Sequence, residues 1–311
     1  MAWILGIDEA GYGPNLGPFV MSAVACRVPD HGADLWHLLR AAVRKAGDGR
    51  DDRLVVDDSK AVYSTSTGLA GLERGVCAVT EVPATLAGLV ERLAPDHRDD
   101  LAAEPWFTGA TALPTDNGHQ PSCERFAEAC ADAEVGSWHI ASVVVCPAAF
   151  NALIDRHDSK GAVLGHGFIR LFAQALERTP AEEPLAVFVD KQGGRNTYAA
   201  QVQQALTSGL VVPVVETAGR SAYHVAGLER EVRLTFQPRA DQSYFCVALA
   251  SMVSKYLREL FMGEFNAFWC GQVPGLKPTA GYPGDAARFF AAVRDKAREL
   301  RIGEEALWRR R

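Results

Sequence analysis

The 311-residue sequence has no excess of positive charge: 32 Lys and Arg stand against 38 Asp and Glu, a formal net of −6. A global field that draws in polyanions is therefore excluded, and any nucleic acid must be met by a local basic patch. No cysteines are spaced as metal ligands. The seven (Cys26, Cys77, Cys123, Cys130, Cys146, Cys246 and Cys270) are odd in number and form no C-x-x-C pair, which argues against a zinc site and a secreted disulfide scaffold. No apolar run approaches the roughly 20 residues of a membrane helix, and the first residues lack a basic segment followed by an apolar one. A soluble, cytoplasmic, monomeric protein with reduced thiols and no membrane partner is the expectation. A G-x-S-x-G nucleophile turn is also missing, which sets aside a serine hydrolase. Internal repeats and low-complexity tracts are absent too.

What is there reads as an α/β chain with room for one large domain or two small ones. An apolar run at 3–7 ends in Asp8-Glu9 and a Gly- and Pro-rich turn, and a second run at 19–28 reads as its hairpin partner. Helical spacing follows over 34–45, then a strand at 54–56 leading into Asp57-Asp58-Ser59-Lys60. From 64 to 136 the pattern weakens to candidate helices at 84–93 and 122–133 around Trp106-Phe107, a pair expected to anchor a small core rather than stack on a base. Regular signals resume with strands at 139–146 and 185–189, the latter ending in Asp190. Helices near 148–156, 167–178 and 196–206 surround them, and strands follow at 210–216, 222–225 and 232–236. A long helix from Asp241 to about 262 and a last one near 285–300 complete the reading.

The chemistry is carried by acids at the ends of apolar runs: Asp8 and Glu9, Asp190, and Asp241 at a helix start. Strand ends place such acids at one edge of a sheet, where several can converge on a cation. An oxygen-only set of this kind suits Mg²⁺ or Mn²⁺ and phosphodiester hydrolysis. Singly, Asp241 also reads as an ordinary helix cap and Asp190 as a turn acid. The glycines Gly11, Gly13 and Gly17 do not make a dinucleotide loop, because prolines interrupt them and a strand, not a helix, follows. They do supply backbone N–H groups close to where a phosphate would lie.

The run Gly6-Ile7-Asp8-Glu9-Ala10-Gly11-Tyr12-Gly13-Pro14-Asn15-Leu16-Gly17-Pro18 resembles the opening motif of the type 2 ribonucleases H. Asp58-Ser59-Lys60, Val189-Asp190, Asp241 with the helix through Ser251, Lys255 and Glu259, and Gly281-Tyr282-Pro283 resemble that family's further motifs, in its order. The resemblance covers roughly 1–63, 138–208 and 238–298. It implies a ribonuclease H-like α/β fold, a mixed central sheet flanked by helices. The catalytic domain would comprise 1–63 and 138–300, with an inserted subdomain or lid at 64–137 and a basic tail at 301–311, its Arg309-Arg310-Arg311 a solvated end.

By the same resemblance, Asp8, Glu9, Asp190 and Asp241 bind two Mg²⁺ or Mn²⁺ ions. The partner is an RNA–DNA hybrid or duplex DNA carrying ribonucleotides, cut to leave 3′-hydroxyl and 5′-phosphate ends. Gly11, Tyr12 and Gly13 would meet the substrate near the cleaved bond, Ser59 and Lys60 a phosphate, and Tyr282 the ribose with its 2′-hydroxyl. Lys255, fourteen residues after Asp241, is expected on a similar face of one helix and about 20 Å away, touching a neighbouring phosphate. The family's usual G-R-G is G-Y-G here, so Tyr12 removes a charge-assisted phosphate contact. The segment Lys191-Gln192-Gly193-Gly194-Arg195-Asn196 differs from the family's D-G-N run and returns basic groups. A strip of Lys60, Lys191, Arg195, Lys255 and Arg258 is expected to offset the net acidity. Two other readings use the same residues: a non-cleaving nucleic-acid-binding paralogue, and a metal-dependent phosphoesterase acting on a smaller ester.

Overall fold

The computed structural model describes residues 1–49, 51–115 and 120–310. Its elements run β1 (Ala2–Ala10), β2 (Phe19–Val28), α1 (Leu35–Leu38), β3 (Val43–Arg44), β4 (Leu54–Val55), α2 (Ser59–Val62), α3 (Ala70–Val79), α4 (Leu86–Leu93), α5 (Arg98–Ala102), α6 (Gln120–Asp132) and β5 (Gly136–Val145). Then come α7 (Pro147–His157), α8 (Gly161–Arg178), β6 (Leu185–Asp190), α9 (Ala199–Ala205), β7 (Leu210–Glu216), β8 (Ser221–Ala226), β9 (Val232–Gln237), α10 (Ala240–Ser243), α11 (Phe245–Gln272), α12 (Pro283–Glu299) and α13 (Glu304–Leu307).

Seven strands form one sheet in the order β5-β2-β1-β6-β9-β8-β7, with β3 and β4 as a separate pair. The centre, β1-β6-β9, is parallel, and the flanking pairs are antiparallel. This is the mixed α/β sheet flanked by helices that the sequence motifs imply. Parallel pairing is what makes the site: it brings the carboxyl ends of β1 and β6 and the chain leaving β9 to one edge, where open α/β sheets bind ligands.

Strand periodicity builds the two faces. On β1, Ala2 and Ile4 face one core with α11, while Trp3, Leu5 and Ile7 face another with α7, α8 and α9. The apolar side chains of 64–137, among them Leu72, Val76, Leu89 and Phe126, join the core that β2 and α11 share. Trp106 is buried against Phe265, with ring centroids 5.0 Å apart, and so serves as a core anchor. Helix α11 lies almost in contact with β1 at Gly6, where a Cβ would meet the Cys246 carbonyl carbon at 2.1 Å. No helix among the described residues is long and apolar enough to cross a membrane.

Three expectations are corrected. The predicted 34–45 helix is only α1, because the chain turns after Leu39 and Val43 pairs with Leu54, both side chains buried. The helix predicted from Asp241 onward is broken at Tyr244, which is extended (φ −127°, ψ 120°). Its ring stacks on Phe188 with centroids 3.8 Å apart, and its hydroxyl meets Gln237 at 3.0 Å. Asp241 and Lys255 therefore sit on different helices. The third concerns the basic tail: Arg309 is fully buried, and Arg310 pairs with Asp155 at 2.6 Å. Arg311 lies outside the described residues.

Candidate active site

Asp8 and Glu9 close β1, Asp190 closes β6, and Asp241 stands in the short α10 just beyond β9. The parallel register pairs Ile7 with Val189 and Asp190 with Gln237, so the three strand ends are level. The four expected acids are thus gathered, and their electrostatics show it. Burial drives the Asp8 carboxyl well above the usual range, with Glu9 and Asp190 adding repulsion and Ser251 opposing. Burial, then Asp190, lifts Glu9 to about 7. Asp241 rises to about 6 through burial and the nearby Asp58 and Asp190. Asp190 is raised least readily: burial pushes it up, while the Ala240 N–H donates to its Oδ1 at 2.9 Å and the Lys191 and Arg239 amides also oppose.

Lys60 is exposed, and its charge offsets part of the repulsion at Glu9, Asp190 and Asp241. Its own amide is capped by the Asp58 carboxylate at 3.0 Å. Ser59 is buried beneath it and accepts a 3.0 Å bond from Ser251, the side chain that also meets Asp8. Asp58 and Ser251 went unassigned in the sequence. Asp58 stands there only as part of the Asp58-Ser59-Lys60 motif, and Ser251 is one small residue in an apolar helix.

Among the described residues no group of three or more His, Cys, Asp or Glu side chains stands in a metal-holding arrangement. The chemistry of the donor set nonetheless fits a hard divalent cation. The donors are all carboxylate oxygens, partly desolvated and mutually repelling, and a cation relieves each of those costs.

The turn after β1 is fixed from behind. Gly11 takes φ +85°, and a Cβ there would lie 2.3 Å from Arg258 Nε. Arg258 is buried and donates to the carbonyls of Leu16 (3.4 Å) and Ala280 (3.1 Å). The Gly281 carbonyl accepts from the amides of Asn15 (2.8 Å) and Leu16 (3.3 Å), which joins the first and last motifs. Arg309 donates from Nη2 to the Pro14 carbonyl, and its guanidinium lies 4.6 Å from the centre of the Phe150 ring. Asn15 and Arg309 exchange two further bonds, at 2.8 and 2.9 Å. Burial and the neighbouring Arg258 pull the Arg309 pKa down to about 9. The consequence is that Tyr282, 49% exposed, is presented beside Gly13, whose Cβ position lies 3.9 Å from its ring.

Tyr12 is half-buried, its ring edge-on to Phe19 at 6.4 Å. Burial and Glu9 raise its hydroxyl pKa, and Arg195 opposes. The expected basic strip does not form as a unit. Lys255 is paired with Glu259 at 2.5 Å under the ring of Tyr63 and does not join the acids. Lys191 Nζ is held by Asn196 and by the Thr217 carbonyl, at 3.0 and 2.5 Å. Arg258 is inside the fold. Lys60 is exposed and Arg195 partly so.

No protein-family model and no curated protein matches the chain. Among solved structures it is similar to the RNase HII of Archaeoglobus fulgidus in its PCNA complex, at 15% identity and TM-score 0.47, over 99% of this chain and 94% of that one. It is also similar to ribonuclease H2 of Pyrococcus horikoshii, at 15% identity and TM-score 0.45, over 98% and 92%. A third similar structure is Bst-RNase HIII in complex with Mn²⁺, at 13% identity and TM-score 0.46, over 99% and 66%.

Proposed function

We propose that the chain is a divalent-metal-dependent endoribonuclease that hydrolyses the RNA strand of an RNA–DNA hybrid or cuts 5′ to ribonucleotides embedded in DNA. The observation that carries this reading is the convergence of five motifs, distant in sequence, on one end of the parallel strands: four acids, Ser59 and Lys60, the glycine turn, and Tyr282.

Asp8, Glu9, Asp190 and Asp241 would hold Mg²⁺ or Mn²⁺, which when bound supplies an activated water and charge relief on the 3′-oxygen leaving group. The chain's own residues do the rest. The Gly11 and Gly13 backbone lets a sugar-phosphate approach closely, and the exposed ring of Tyr282 packs on a ribose whose 2′-hydroxyl marks RNA. Lys60 would contact phosphate as well as moderate the acids. The clamps from Arg258, Gly281 and Arg309 keep the turn and Tyr282 at a fixed separation, so ribose recognition is tied to the cleavage centre.

The test is cleavage of three labelled duplexes with Mg²⁺ or Mn²⁺: an RNA–DNA hybrid, DNA carrying one ribonucleotide, and plain DNA. Cutting confined to the first two, lost in EDTA and lost in Asp190→Asn, is expected. Cleavage that survives EDTA or the substitution overturns the reading. Hybrid binding without any cutting points instead to a recognition protein.

A further inference from the structure

Helix α11 is apolar where it packs on the sheet, and from Phe245 to Ser254 two of its side chains carry hydroxyls, Ser251 and Ser254. Both are buried, at 3% and 0% exposure. A helix interior favours alanine over serine, and a buried hydroxyl is a cost unless it is bonded. Alanine, which α11 has at 248 and 250, would serve the packing as well. What the two hydroxyls touch is therefore informative, and both touch Asp8. Ser254 Oγ donates to the Asp8 carbonyl at 3.0 Å, and Ser251 bonds the Asp8 carboxyl. Three residues apart, the two serines are neighbours on the helix surface, so α11 grips one residue of β1 by its backbone and by its side chain.

The Ser251 hydroxyl also reaches Ser59 Oγ at 3.0 Å. Ser59, the first residue of α2, is 7% exposed. Its hydroxyl is spent inward on Ser251 rather than offered to a phosphate, the contact its motif led us to expect. The line Ser59–Ser251–Asp8 joins three sequence motifs and fastens to α11 the segment from which Lys60 acts on Glu9, Asp190 and Asp241. The Asp8 carboxyl bonds Glu9 as well, but Glu9 is itself one of the acids that a cation would take. Ser251 is the neutral partner of Asp8.

We propose that Ser251 and Ser59 are positioning residues for divalent-cation binding: they hold the Asp8 carboxylate in its orientation, while Ser254 fixes the backbone that carries it. These hydroxyls act through Asp8 and not on the substrate. The proposal rests on the metal-dependent reading above and assigns roles within it.

The experiment is binding of Mn²⁺ in the absence of nucleic acid, followed by the electron paramagnetic resonance signal of the free ion. Loss of a group that orients a metal ligand costs about 10–100-fold in metal affinity. Ser251→Ala and Ser59→Ala are each expected to weaken Mn²⁺ binding by about that factor, and Ser251→Thr, which keeps the hydroxyl, to restore most of it. Ser59 lies on a separate element, so its variant tests the line even where α11 tolerates no change. Ser142→Ala removes another buried hydroxyl, bonded to Ser22 at 2.8 Å and two strands away from Asp8; it should leave Mn²⁺ affinity unchanged. In cleavage, the alanine variants at 251 and 59 should recover rate at saturating Mn²⁺ with the KM for an RNA–DNA hybrid unaltered. Wild-type Mn²⁺ affinity in those two variants, or an equal loss in Ser142→Ala, overturns the assignment and leaves the nuclease standing. A raised hybrid KM in Ser59→Ala with Mn²⁺ affinity intact does the same, and returns Ser59 to a phosphate contact. A wild type that binds no Mn²⁺ and cuts no duplex overturns the metal-dependent reading and, with it, these roles.

Discussion

Replacing Glu264 with alanine removes the acceptor of five hydrogen bonds at once. Its buried carboxylate, on α11, receives the Thr108 amide (2.7 Å) and hydroxyl (2.9 Å), the Gly109 amide (3.0 Å), and the Thr111 amide (3.3 Å) and hydroxyl (2.9 Å). A hydrogen bond to a charged group is worth about 1.5–3 kcal/mol, and an orphaned buried donor costs about 1–3 kcal/mol. The bonds share one carboxylate and do not add, so about 4 kcal/mol is expected for Glu264→Ala. Glu264→Gln keeps one acceptor oxygen and should cost about half as much. With a urea dependence near 3 kcal/mol per molar for a chain of this size, the alanine variant should unfold more than about 1 M earlier.

Acidity sharpens the test. Burial alone would raise the Glu264 pKa, but the donors from Gly109, Thr108 and Thr111 hold it below the usual glutamate range. A depressed folded value means the stabilisation is complete above the unfolded pKa and fades as pH falls through the folded one. The gap between wild type and Glu264→Gln should therefore close below about pH 4. A loss under about 1 kcal/mol for the alanine variant, or a gap indifferent to pH, would refute the account of how the segment 108–111 is fastened to α11.

Other outcomes are expected. Glu9, lifted from 4.5 to about 7, destabilises the metal-free fold progressively as pH rises through that window. Glu9→Gln should then gain up to about 3 kcal/mol over wild type at pH 8 in EDTA, at 1.36 kcal/mol per pKa unit. Urea unfolding at pH 4 and pH 8 measures it, and added Mg²⁺ should narrow the gap by stabilising the wild type. Gly6→Ala forces a Cβ into the α11 backbone and should cost about 3 kcal/mol, read as a lower melting temperature. Arg309→Leu leaves the Pro14 carbonyl without its charged donor; amide exchange at 13–16 should quicken by roughly tenfold or more, as for a loss of about 1.5–3 kcal/mol. Unchanged protection there would show that the turn holds itself.

Asp8, Glu9 and Asp190 were legible because each ends a local apolar run, and Asp241 because it opens a helical pattern, signals that depend on the few residues around them. The β1–β2 hairpin and the helices at 86–93 and 283–299 were readable for the same reason. What was not legible depends on partners far along the chain. Nothing near Tyr244 signals a break, since the ring that holds it extended is Phe188 on another strand. Three successive arginines carry no hint that one is enclosed between Phe150 and the Pro14 carbonyl. The ion pair that occupies Lys255 is local, Glu259 being one turn on, yet a one-dimensional reading ranks a phosphate contact and a helix-surface pair alike.

The fastening of the turn 11–18 also sets an order of events in synthesis. The partners of its Pro14 and Asn15 carbonyls belong to residue 309, made long after the turn itself. Domains generally begin folding from the N-terminal side while translation proceeds. Here the sheet and its acids can assemble first, whereas the turn is fastened only once residue 309 has been made. A ribosome-bound chain therefore carries the acids before the turn beside them is fastened.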